Sequence, residues 1–402
     1  MNSKGHLLRW KYKLKYDGII FVQKFSKLLT LIGREIYYCL FCRIKLFVTG
    51  VNTRLDMKID TILHVGMSKC GSSALQTALT STPDFISNAG DSIKYIAISD
   101  RTLEIFNGIR LIEHADKIRN YAVSGSNIFK LASSDPSYFS KLKSNLQELR
   151  SLHLGKIIIS NEGYGLQFEL LKKTGILEKL ELDCEVIIYI RPQVLWMNSA
   201  WWQWGAWENL SLNQFILKRL PSIMWGDLAR FWQAVPGVKK VTVRLLRGDV
   251  VSDFFSIVGA PPKLGSEINK GLPARILRLF QRHRELRPTK SSSGIDFLIT
   301  KNCKFNDPNP PWVLSDTDIT FILNNCLPSN RALEYYLEGE QQSLLRNDAA
   351  WWSPGHYSTK VAEFWGKVDS EDNEADDVLL ALINGLIKLN GVNEKLLKNI
   401  NN

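Results

Sequence analysis

Long hydrophobic runs are missing where they would matter most. The apolar clusters of residues 1–58 (18–23, 28–33 and 36–42) are cut by Lys24, Lys27, Arg34, Glu35, Arg43 and Lys45. None approaches the roughly 20 residues of a bilayer span. The start of the chain shows neither the clean apolar core nor the small-residue cleavage site of a secretory signal. Cysteine is sparse, with six residues at 39, 42, 70, 184, 303 and 326. Only Cys39 and Cys42 lie close together, without the second pair or histidine cluster a zinc site needs. Such usage fits reduced thiols that fill apolar space in a cytoplasmic protein. Repeats and low-complexity tracts are lacking as well.

Acidic residues are scarce in one place only. Residues 1–58 carry 12 Lys/Arg against 3 Asp/Glu, a net +9, whereas residues 59–402 carry 39 against 37, a net +2. A body so close to neutral lacks the positive excess of a nucleic-acid-binding surface, so no nucleic-acid partner is expected. The basic, aromatic-rich arm points instead to amphipathic helices lying on an anionic membrane surface, peripheral at the inner face. The alternative is that these helices pack on the body with their lysines in solvent. The expected layout is an arm over 1–58, a main domain over 59–345 and a helical extension over 346–402.

What is present centres on residues 61–80, TILHVGMSKCGSSALQTALT. An apolar run (Ile62, Leu63, Val65) leads into Gly66, a loop with Lys69 and Gly71, then Ser72 and Ser73 opening a helical run. A strand, a glycine loop and a helix N-terminus make an anion site: amides of the first turn lack internal partners, and the helix dipole favours negative charge there. The Gly66-x4-Gly71 spacing matches half of a Walker A loop, but Ser72 stands where its lysine belongs. Further on, KIIIS (156–160) reads as a buried parallel strand, and EVIIYI (185–190) and KKVTVRL (239–245) read as further strands. Residues 91–150 read as largely helical, and 287–316 as a long loop.

The segment Lys69-Cys70-Gly71-Ser72-Ser73 resembles the 5′-phosphosulfate loop of sulfotransferases that use 3′-phosphoadenosine 5′-phosphosulfate (PAPS). Its flanks, His64-Val65-Gly66-Met67 and Leu75-Gln76, are similar to those of bacterial carbohydrate sulfotransferases. The usual form is Lys-Thr-Gly-Thr-Thr; here Cys70 and two serines replace the threonines, and serine keeps the hydroxyl. The family also places an arginine at a strand end and a serine eight residues later to hold the donor's 3′-phosphate. Arg191 and Ser199 reproduce that pair. The resemblance implies an α/β three-layer fold like that of P-loop kinases, with a parallel sheet of four or five strands and no metal requirement. It further implies sulfuryl transfer to a hydroxyl of a glycan or glycolipid.

A proton acceptor is needed for that chemistry. Ser160-Asn161-Glu162 matches a Ser-x-Glu of the family at the strand end, and Glu162 leads. Asp91 and then His64 are the rivals. Lys69 would neutralise the leaving oxygen. Five tryptophans crowd into 196–207, some expected in an acceptor cleft and others in the core. No glycine-rich Arg-Lys-Gly segment of the hormone-sulfating branch occurs, which favours the carbohydrate branch. Two competing readings are a P-loop nucleotide kinase and a non-catalytic membrane-surface protein on the same fold.

Overall fold

The computed structural model describes residues 59–118, 121–153, 155–261, 272–303, 311–366 and 379–391. The basic arm expected over 1–58, with Cys39 and Cys42, lies outside them, as does the acidic run 369–377. Among the described residues no helix is long and apolar enough to cross a membrane.

The strands are β1 (Thr61–His64), β2 (Asp84–Ile86), β3 (Ser92–Ile98), β4 (Ile105–Phe106), β5 (Lys156–Ser160), β6 (Cys184–Ile190) and β7 (Val238–Leu245). They form one sheet in the order β2-β3-β5-β1-β6-β7, with β4 added on β3. β3, β5, β1, β6 and β7 run parallel, while β2 and β4 pair with β3 antiparallel. All four residues of β1 are buried, as are six of the seven in β6. Successive strand residues face opposite sides, so such runs require cover on both faces. The α/β class with a mainly parallel sheet therefore stands as expected.

The helical reading of residues 91–150 fails at its start, where Ser92–Ile98 is β3. Ile93 and Tyr95 alternate into the core, and the Tyr95 hydroxyl donates to the Ala122 carbonyl at 2.6 Å. That period of two, with β-branched residues, is a strand signal. Helical spacing holds later: α2 (Pro136–Leu152) buries Leu142, Leu146 and Leu149, capped by Asp135. The preceding helix α1 spans Ser72–Ser81. After β6 come α3 (Gln193–Gln203), α4 (Trp225–Gln233) and, beyond β7, α5 (Val250–Ile257) and α6 (Ala274–Arg282).

The long loop expected over 287–316 is interrupted by α7 (Gly294–Asn302). Ile295, Leu298 and Ile299 supply its helical spacing, and Ile295 and Ile299 are buried. One helix, α8 (Asp316–Leu333), contains Pro328 in its interior. Ala350, Trp351, Tyr357 and Val361 join the main core, so the chain through these residues packs on the body.

The tryptophans of 196–207 are chiefly structural. Trp196 belongs to the main core, and Trp202 and Trp207 to a second cluster with Ile276, Phe280 and Ile299. Trp201 packs against both.

Candidate active site

β1 lies between β5 and β6, and the chain passes from one side of it to the other after β5. Ligand crevices form outside the carboxyl ends of strands at such a reversal. The ends of β1 and β5 are tied to their neighbours there: Asn161 N–H donates to the His64 carbonyl at 3.1 Å, and Val65 N–H to the carbonyl of Ile187 within β6 at 3.3 Å.

The loop after β1 is shaped by glycine. Gly66 has φ +45°, and a Cβ there would stand 2.6 Å from Ser72 Oγ; Gly71 has φ +85°, and a Cβ would press Val250 at 3.0 Å. Lys69 itself adopts φ +68°, a left-handed conformation that costs a non-glycine residue about 1–2 kcal/mol. Strain of this kind persists where surrounding structure enforces it, often at functional positions. A turn closed by Cys70 N–H to the Met67 carbonyl (3.0 Å) leads into α1. No side chain caps α1, and its first turn holds no acidic residue. Its leading amides and dipole are left available to an anion. Ser72 Oγ is buried with no partner, and Ser73 is half-buried beside it. Cys70 is fully buried, and burial pushes its thiol up to about 12, so it packs rather than reacts.

Arg191 follows β6 directly. Its Nη1 reaches the Lys69 carbonyl at 3.4 Å, so the strand end and the loop are in contact. Helix α3 then turns toward the loop, with Trp196 Nε1 donating to the Ser68 carbonyl at 2.7 Å. Ser199, three residues on, shares that face of α3 and is half-buried. Burial lowers the Arg191 pKa, but a guanidinium remains charged at any physiological pH.

Glu162 opens a short 3-10 turn after β5. Capping that turn falls to Asn161, whose Oδ1 accepts from Gly163 N–H at 2.6 Å while its amide donates to the Ser124 carbonyl. Glu162 is exposed at the carboxyl edge, and its α-carbon lies 3.4 Å from the Cβ position of Gly66. Lys69 is open to solvent yet set among protein atoms on several sides. This desolvation lowers its pKa; Glu162 and Asp296 pull the other way, while Arg191 and Arg287 lower it further.

The other two proton-acceptor candidates stand elsewhere. Asp91 precedes β3 at the opposite, amino edge of the sheet, with its side chain 53% exposed and 3.8 Å from Lys156 Nζ. The parallel register puts it a strand's length from the loop, which removes it from the site. His64 is wholly buried beneath the loop, with Nδ1 2.8 Å from Ser160 Oγ and no partner for Nε2. Ser160 Oγ also accepts from Gln76 at 3.1 Å. Burial holds His64 near pKa 4, so the ring is neutral at pH 7.

Two charged residues that act electrostatically on Lys69 escaped the sequence reading. Arg287 is 1% exposed and pairs with Asp296 on α7 at 3.1 Å. A buried arginine in a proline- and serine-rich stretch has no periodicity of its own. The available signal was the helical spacing of Ile295, Leu298 and Ile299 around Asp296.

No family model matches the chain, and no curated protein sequence does. A solved sulfotransferase from Alicyclobacillus acidocaldarius is similar to it at 14% identity, with 73% of this chain and 98% of that one covered. The TM-score is 0.34, and so loose a likeness carries no argument about this chain.

Proposed function

We propose that this protein transfers a sulfuryl group from PAPS to a hydroxyl of a glycan or glycolipid. One observation carries the reading: the Lys69 loop, an uncapped helix N-terminus and Arg191 meet at the carboxyl edge, linked by the Arg191–Lys69 contact. A bisphosphorylated nucleotide suits that arrangement. Its 5′-phosphate would lie on the loop amides with Ser72 and Ser73, and its 3′-phosphate on Arg191 and Ser199, where a planar guanidinium can bind two oxygens at once.

In the reaction the acceptor oxygen bonds to sulfur as the bond from sulfur to the bridging oxygen breaks. The electron pair stays on the 5′-phosphate. Lys69 offsets the charge that develops there, a stabilisation that is commonly the largest catalytic term. Glu162 takes the acceptor's proton. A kinase would require a lysine directly after Gly71, where Ser72 stands.

Calorimetry tests the donor side. Adenosine 3′,5′-bisphosphate should bind more tightly than ATP with Mg²⁺. Arg191→Ala should lose about 1.5–3 kcal/mol of bisphosphate affinity and much less for adenosine 5′-phosphate. Equal losses for both nucleotides, or preference for ATP, would discard the reading.

A further inference from the structure

Buried polar atoms without partners are uncommon in folded proteins, and a group of them calls for a ligand or an ordered water. Two such atoms belong to the loop region, His64 Nε2 and Ser72 Oγ. Three others belong to residues that Arg287 ties together through its contacts with the Gln203 backbone and Asp296: Gln203 Oε1, Arg287 Nε and Asp296 Oδ1.

This cluster stands on fixed parts. Arg287 Nη2 donates to the Gln203 carbonyl at 3.1 Å and Nη1 to the Trp202 carbonyl at 3.4 Å, at the last turn of α3. Its guanidinium lies 4.3 Å over the Trp207 ring, and Nη1 is 3.1 Å from Asp296 Oδ2. One carboxylate oxygen of Asp296 is thus engaged and the other is left over. Gln203 lies seven residues beyond Trp196, roughly 10 Å along the helix, whereas Trp196 touches the loop. The cluster is therefore displaced from the Arg191 end of α3, yet Asp296 and Arg287 both act electrostatically on Lys69.

The chemistry of the leftover atoms defines what fits. A carboxylate oxygen and an amide oxygen only accept hydrogen bonds, whereas the guanidinium only donates. A phosphate or sulfate would meet the Asp296 carboxylate unfavourably. Neighbouring hydroxyls, which both donate and accept, satisfy all three. We infer that Gln203, Arg287 and Asp296 form the acceptor subsite, recognising a polyhydroxylated ligand by its vicinal hydroxyls, an inference that rests on the sulfuryl-transfer reading above. Glu162, at the end of β5, retains the proton transfer.

The subsite carries its own pH dependence. Desolvation raises Asp296 to about 6 against the opposing pull of Arg287 and Lys69, the charged groups acting on it. Above that pH Oδ1 accepts as a carboxylate; below it the carboxyl is neutral and its hydrogen bond to a hydroxyl weakens.

The test uses the full-length protein, ³⁵S-labelled PAPS, and methyl hexopyranosides against hexan-1-ol as acceptors. The wild type should favour a glycoside. Asp296→Asn and Gln203→Met should each raise the glycoside KM roughly tenfold or more while calorimetry shows bisphosphate affinity unchanged. The wild-type KM should climb below about pH 6, and the Asp296→Asn value should not. Gln203→Met leaves the ion pair intact and so guards against a misfolded Asp296 variant. Unchanged KM in both variants, preference for hexan-1-ol, no glycoside turnover, or parallel loss of bisphosphate binding would each overturn the subsite. A wild type that fails to bind the bisphosphate would overturn the sulfuryl-transfer reading itself.

Discussion

The two edges of the central sheet are furnished differently. At the amino edge the carboxylates have cations: Asp60 with Arg150 at 2.9 Å, Asp91 with Lys156 at 3.8 Å, Asp183 with Lys239 at 3.1 Å, and Glu185 with Lys240 at 3.2 Å. At the carboxyl edge, among the described residues, Lys69 and Arg191 make no ion pair, and Ser72 Oγ and His64 Nε2 have no hydrogen bond. A charged surface at rest neutralises itself. Arg244 at the end of β7 is paired with Asp253, so the contrast belongs to the Lys69 loop and Arg191, where an uncapped helix end favours an anion. The same contrast separates Asp91 from the Lys69 loop: it stands at the amino edge beside Lys156.

The sharpest way to break this comparison is to disarm the carboxyl edge. Lys69→Ala should cost about 10²–10³ in turnover by removing charge stabilisation, and Glu162→Gln about 10²–10⁴ by removing the proton acceptor. Steady-state rates with labelled PAPS read both, and the acidic limb of the rate profile should vanish only in Glu162→Gln. Near-normal turnover in Lys69→Ala would undo the assignment of the loop.

A smaller effect separates His64 from that chemistry. Its folded pKa of about 4 lies below the ordinary 6.5, so the unfolded chain binds the proton first. Stability from the neutral ring is present above pH 6.5 and lost as pH falls toward 4, about 1.4 kcal/mol per pH unit in that window. Asp296 works in the opposite sense, since its raised pKa favours the folded state as pH falls through 6. Denaturant titrations of wild type and His64→Asn across pH 4–7 isolate the histidine. A wild-type slope no steeper than the variant's would show that His64 is charged in the fold.

The smallest change belongs to the amino edge. Lys156→Ala should alter stability by about 1 kcal/mol or less, as exposed pairs do, and leave bisphosphate affinity untouched. A marked loss of binding would mean that the two edges are not independent.

Residue order alone determined a good deal. The β-branched run of β5 announced a buried parallel strand and that of β6 its neighbour, because alternating side chains can all be apolar only when both faces are covered; β7, at the sheet's edge, buries only Val243 and Leu245. The Gly66 and Gly71 spacing announced the loop, because positive φ and close approach select glycine. Arg191 was singled out through the family resemblance of the arginine–serine pair, and the structure puts it directly after β6, in contact with the Lys69 loop. Where local signals were mixed the reading slipped: Ile93 and Tyr95 gave β3 its alternation inside a stretch otherwise rich in helix formers, and serines and prolines masked α7. Other features had no local signature at all. Whether Asp91 or Glu162 faces Lys69 depends on which end of the sheet each occupies, and register sets that. Whether Arg287 meets Asp296, and what is left unpaired around them, depends on packing against Trp207 and the end of α3. Pattern in a sequence reports period and conformation over a few residues; charge pairing and burial arise between segments far apart in the chain, so only the tertiary structure decides them.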